Sequence, residues 1–109
     1  MKDIIKNLNK VFDNRVRLGI MAILVVNEWV EFKELKTMLG VTDGNLASHI
    51  SSLEKKELLE VRKMFVSRKP QTSYRVTALG QQAFQEHLDA LESIISMRKN
   101  LPETDNTET

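Results

Sequence analysis

The stretch Val41–Gly80, VTDGNLASHISSLEKKELLEVRKMFVSRKPQTSYRVTALG, decides the fold, because it sets a short polar-faced helix directly before a basic hairpin. Leu46, Ile50 and Leu53 recur at helical spacing and can bury one face, leaving Asn45, Ser48, His49 and Ser52 on the other. Thr42 is suited to cap this helix, which is expected to run to about Lys56. LEVRKMFV and TSYRV then read as two strands joined by SRKPQ, whose proline and small polar residues suit a loop.

Upstream, Lys33–Leu39 predicts a brief helix presenting Leu35, Met38 and Leu39 and stopping at Gly40, a residue fitted to the left-handed conformation past a helix end. The tight Gly40-Val41-Thr42 link makes the two helices a helix-turn-helix candidate. Trp29, Val30 and Phe32 form a short extended or turn segment. Before them, Asn14 to Val26 is apolar on most sides and should be the central core helix, with Gly19 permitting close packing. Ile4, Ile5, Leu8, Val11 and Phe12 predict a first amphipathic helix ending near Asp13.

Downstream, Thr77 can cap a long last helix, about Ala78 to Arg98, in which Phe84, Leu88, Leu91 and Ile95 are spaced four, three and four apart. From Lys99 onward KNLPETDNTET has no periodicity and reads as a disordered polar tail. The expected organisation is one domain over residues 1–98 with a tail over residues 99–109, since 109 residues suffice for one ordinary core.

The net charge of +1 hides an asymmetry: residues 1–80 hold 14 basic and 9 acidic residues, residues 81–109 hold 2 and 6. Arg62, Lys63, Arg68, Lys69 and Arg75 follow one another without an intervening carboxylate. A phosphate backbone is one counterpart for such a hairpin. Exposed strands also carry Lys and Arg simply to stay soluble and to block edge-to-edge pairing. The absence of cysteine excludes disulfides, thiolate zinc sites and thiol redox sensing. The longest apolar run, Val16 to Val26, is about half the ~20 residues of a membrane span and is interrupted by Arg17. Asp3 and Asp13 argue against a signal peptide, so a cytoplasmic protein is expected.

With these elements placed, residues 10–80 resemble the winged-helix transcriptional regulators of the MarR and ArsR type, particularly the compact stand-alone DNA-binding domains. FDNRVRLGIMAIL resembles their first core helix, FKELKTMLGVTDGNLASHISSLEKKELLEV their helix-turn-helix, and TSYRVTALG the strand and helix start after the wing. The fold class implied is mainly α within α+β: a winged helix-turn-helix with a two-stranded β-hairpin wing and a long C-terminal helix. The resemblance further implies a homodimer, with Thr42 to Ser52 as recognition helix and Arg68 and Lys69 at the wing tip. This sequence departs from the pattern at Glu57, where a glycine commonly closes the recognition helix, and in SRKPQ, which lacks the acidic residue many such wings carry before their arginine. The long ligand-binding helices of larger MarR proteins do not fit here.

A division of labour on double-stranded DNA follows from the side chains. Thr42, Asn45, Ser48, His49 and Ser52 would reach into the major groove, Asn45 being able to pair bidentately with adenine. Arg68 and Lys69 would touch phosphates or enter the adjacent minor groove, with Lys36, Lys55, Lys63 and Arg75 adding backbone contacts. Asp43 opposes this mildly by repelling a phosphate at the helix start. His49 could donate to a phosphate or base edge, charging near pH 6.5 and favouring binding in acid, or it could pack beside the next helix. His87 reads as a solvated residue of the last helix.

Ile4, Ile5, Leu8, Val11 and Phe12, with Phe84, Leu88, Leu91 and Ile95, form two apolar seams larger than one small winged core covers. Burial between two chains would solve this and predicts a palindromic operator; packing of the two helices on each other within one chain is the alternative. Two histidines, no cysteine and no glycine-rich phosphate loop or spaced ligand cluster argue against an enzyme, a metal site or a cofactor. Repression is the expected sign, as no surface is evidently reserved for recruiting polymerase, and the sequence identifies no effector. The rival of a different class is a winged-helix protein-interaction module without specific DNA binding.

Overall fold

The computed structural model describes residues 1–99. Five helices and a small antiparallel sheet make up the described chain: α1 (Lys2–Asn7), a 3₁₀ turn (Lys10–Asp13), α2 (Arg15–Val25), β1 (Val30–Glu31), α3 (Phe32–Leu39), α4 (Asp43–Lys55), β2 (Leu59–Val66), β3 (Lys69–Val76) and α5 (Ala78–Lys99). The winged helix-turn-helix with a long last helix is therefore as expected. Apart from Lys99, which ends α5, the tail expected over residues 99–109 lies outside the described residues.

Polar side chains set the helix boundaries. Asn14 Oδ1 accepts from the Val16 and Arg17 N–H groups at 2.8 and 3.1 Å, and Thr42 Oγ1 accepts from the Asn45 N–H at 3.2 Å. Gly40 closes α3 with φ 63°, and its N–H donates to the Lys36 carbonyl. Thr77 Oγ1 accepts from the Gly80 N–H at 2.9 Å and donates to the Glu57 carbonyl at 2.7 Å, so one hydroxyl starts α5 and ties it to the end of α4.

The predicted first helix is divided. Leu8 and Asn9 are extended, with ψ of 136° and 118°, and separate α1 from the 3₁₀ turn. The reason is distant in sequence: the Asn9 N–H donates to Nδ1 of His87 on α5 at 3.0 Å, while Asn9 Oδ1 accepts from the Val11 N–H. His87 is consequently 5% exposed, against its expected solvation, and lies edge-on to Phe12 at 5.3 Å.

The sheet order is β1-β3-β2. Val30 and Glu31 pair with Tyr74 and Ser73, so the segment read as merely extended supplies a third strand. Strands β2 and β3 are in register from Leu59–Val76 to Val66–Lys69, which reduces the predicted SRKPQ loop to a two-residue turn, Ser67–Arg68. Both turn residues have positive φ, 53° and 65°, as a hairpin turn that follows the strand twist requires. The core joins Ile20, Met21 and Leu24 of α2 to Leu35, Leu46, Ile50 and Leu53 of the helix-turn-helix and to Leu59 and Tyr74 of the sheet. Gly19 permits α2 and α3 to approach, as expected: a Cβ there would lie 2.6 Å from Leu39 Cδ2.

Candidate nucleic-acid interface

Helix α4 buries Leu46, Ile50 and Leu53 and thereby turns Gly44, Ala47, Ser48, Ser51 and Lys55 fully outward. Of the side chains expected in a groove, Thr42, Asn45 and Ser48 are exposed, while His49 and Ser52 lie half-buried on one flank. Thr42, Asn45 and Ser48 thus form one side of the exposed face, which also includes Gly44, Ala47 and Ser51, residues not expected there from sequence. Their signal was present: Gly44, Ser48, Ser51 and Lys55 are spaced four, three and four apart. The face is narrow, since no side chain longer than serine precedes Lys55 on its midline.

His49 is turned inward by Arg17 of α2, whose Nε donates to His49 Nδ1 at 3.0 Å. Nδ1 as acceptor places the proton on Nε2 of the neutral ring. Burial, and then the Arg17 charge, hold its pKa below the ordinary 6.5. Arg17 itself was not among the predicted site residues.

In the wing, Lys63, Arg68 and Lys69 are exposed, with Arg68 in the turn and Lys69 opening β3. Arg62 and Arg75 behave differently. Their Cζ atoms lie 4.3 and 4.6 Å from the centre of the Trp29 ring, and Arg75 Nε is also 3.1 Å from Glu60 Oε2. One indole thus holds two guanidiniums at the base of the hairpin. Lys36 is likewise engaged, at 2.9 Å from Asp43, whose charge at the start of α4 it offsets. Lys36 and Arg75, expected as backbone contacts, must therefore exchange a carboxylate for a phosphate, whereas Lys63, Arg68 and Lys69 have no ion pair among the described residues.

A helix-turn-helix whose second helix is exposed beside a cationic two-stranded hairpin is matched by a family model described as a winged helix DNA-binding domain, over residues 16–95. The chain belongs to this winged helix family. An uncharacterised protein of Methanocaldococcus jannaschii is 34% identical over 92 residues, covering 84% of this chain and 97% of that protein. The transcriptional regulator homologue from Pyrococcus horikoshii OT3 has the same fold with a TM-score of 0.78 at 33% identity, over 92% of this chain and 96% of that one. YusO from Bacillus subtilis shares the fold at a TM-score of 0.73 and 16% identity, over 98% and 76% of the two chains.

The two apolar seams of this winged helix chain are only partly available to a second copy. Helix α1 packs on α5, and Phe12 and Phe84 meet edge to face at 5.3 Å in the core, 2% and 3% exposed. Both were expected at a dimer seam and instead serve the interior, because the break at Asn9 folds the 3₁₀ turn across the first half of α5. Ile4, Leu8 and Val11 are half-buried by the same packing. Ile5, Leu88, Leu91 and Ile95 are exposed, joined on α5 by Ile94 and Met97. Among the described residues no group of three or more His, Asp and Glu is placed to hold a metal, and no helix is long and apolar enough to cross a membrane.

Proposed function

We propose that the chain is a homodimeric, sequence-specific DNA-binding regulator of transcription that acts as a repressor. One observation carries the reading: in a member of this family, a slim polar α4 face stands beside a wing without a carboxylate from Val61 to Gln85. The small side chains Gly44, Ala47, Ser48 and Ser51 let α4 approach the floor of the major groove closely. From there Asn45 can pair with adenine, flanked by Thr42, Ser52 and the Nε2–H of His49. Lys55, Lys63, Arg68 and Lys69 meet phosphates or the adjacent minor groove, and Lys36 and Arg75 contribute less because of their present partners.

The exposed α5 residues Leu88, Leu91 and Ile95, continued by Ile94 and Met97, support a dimer, with Ile5 of α1 at its margin. A two-fold pair would hold its α4 helices about 34 Å apart and read a palindrome. Bound there, the dimer represses by occluding the duplex. The Pyrococcus structure, described as a transcriptional regulator homologue, agrees with this reading.

Fluorescence anisotropy of labelled random and genomic duplexes, titrated at several salt concentrations, tests the proposal. The slope of log affinity against log salt should be about −0.9 per phosphate contact, with some fragments bound far above background. No binding at low salt would overturn it in favour of a protein-interaction module.

A further inference from the structure

Phe65 is 76% exposed, while every other aromatic residue of the described chain is buried or half-buried. It stands one residue before the end of β2, beside the two-residue turn, with Pro70 as its register partner on β3. Register partners in an antiparallel pair project to the same side, and alternate residues share a side. Phe65 therefore faces as Lys63 and Val61 do, and Val61 pairs with the buried Tyr74. The ring consequently projects on the helical side of the sheet, beyond the end of the core. A tight turn and a proline neighbour with fixed φ hold it on a stiff tip.

The surroundings select the occupant. Arg62, Lys63, Arg68 and Lys69 lie within four residues of Phe65 in sequence, and the chain has no Asp or Glu from Val61 to Gln85. A second copy would bring the same cations against these, and an apolar protein surface would have to desolvate them. Duplex DNA presents the matching arrangement, with anionic walls on either side of an apolar stack of bases. We propose that Phe65 is a wedge: its ring enters the minor groove beside the wing and partly unstacks one base step. This rests on the DNA-binding reading above and adds to it a contact that reads deformability, because pyrimidine–purine steps open most easily.

The test uses a duplex selected by the protein from a random-sequence pool, carrying 2-aminopurine at successive steps and a donor and acceptor dye at its ends. The wild-type protein should raise 2-aminopurine fluorescence at one step in each half-site and shorten the end-to-end distance by bending. Phe65→Ala should abolish both signals and weaken binding roughly tenfold while leaving the salt slope unchanged, and Phe65→Leu should restore part of each. Binding by the wild type without unstacking or bending, or full retention of both by Phe65→Ala, would overturn the wedge and leave the DNA-binding reading standing. No binding of any duplex by the wild type would overturn both, and a fall in oligomer mass in Phe65→Ala would assign the ring to a protein contact instead.

Discussion

Arg17 Nε and His49 Nδ1 are joined by a 3.0 Å hydrogen bond that fixes the flank of α4 to α2. The bond needs a neutral His49, because a protonated Nδ1 would point a proton at a guanidinium. The acid-favoured binding expected near pH 6.5 is therefore displaced to lower pH. Burial and Arg17 both lower the His49 pKa from 6.5. The change in DNA affinity with pH should therefore be centred lower than an ordinary imidazole would place it. An NMR titration should put the His49 midpoint under 6.5 in the wild type and higher in Arg17→Met, in which only the burial effect is left. A wild-type midpoint at or above 6.5 would contradict this account.

His87 should make the fold itself sensitive to acid. Burial lowers its pKa from 6.5, with Asp13 raising it in partial opposition. A group with a folded pKa below its unfolded value binds more protons unfolded, so its stability contribution is complete above pH 6.5. It is lost as pH falls from there toward the folded pKa. The thermal midpoint should fall below pH 6.5, and less so in His87→Asn, which can still accept from Asn9 but does not titrate. Equal falls in the two proteins would assign the acid sensitivity elsewhere.

Two backbone positions call for opposite substitutions. Glu57 has φ 60° just past α4, where its N–H donates to the Glu54 carbonyl and the Leu58 N–H to the Leu53 carbonyl, an arrangement that glycine fits best. Glu57→Gly should stabilise the protein by about 1 kcal/mol. At Gly80 an added Cβ would collide with the Leu58 carbonyl oxygen, a backbone atom that cannot swing aside. Gly80→Ala should destabilise by about 1–3 kcal/mol. Urea denaturation reads both, and opposite signs are required.

These positions also indicate what the sequence conveyed. The β2 run LEVRKMFV was legible residue by residue because β-branched and aromatic side chains are bounded by turn formers, and Gly40 and Thr42 marked helix ends through their own chemistry. The break at Asn9 was not legible. The apolar spacing of Ile4 to Phe12 shows which side is buried, not whether each N–H finds a carbonyl, and the partner of Asn9 lies 78 residues away. The same contact buried His87. On α4, polar character is a poor guide to exposure: it points to His49 and Ser52, which are half-buried, and not to Gly44 and Ala47, which are exposed.

The wing cations should separate by their present partners. Arg68→Ala with Lys69→Ala should weaken binding to nearly all duplexes and reduce the salt slope by about 2, from ~0.9 per lost contact. Arg75→Ala should change the slope by less than one contact, since Glu60 and Trp29 already engage that side chain. Asn45→Ala should leave the slope intact and relax preference at particular bases, by about 1–3 kcal/mol each. Anisotropy titrations over a salt series distinguish the three, and a slope unchanged in the double variant would remove the wing from the interface.

The proposed dimer places its seam on the second half of α5. Leu91 and Ile95 are 37% and 54% exposed in the single chain, so glutamate at both positions should leave its fold intact, with melting lowered only by the loss of the partner. In a dimer sealed by these residues, Leu91→Glu with Ile95→Glu places like charges across the two-fold axis and should halve the mass found by sedimentation equilibrium. Affinity for a palindromic duplex should then fall toward that for a single half-site. Phe84→Ala is the contrasting variant: its ring packs on Phe12 within the chain, so it should lower stability by about 3–5 kcal/mol before it alters assembly. If the double glutamate variant keeps the wild-type mass, α5 is not the seam, and the exposed row from Leu88 to Met97 must be covered by something other than a second copy.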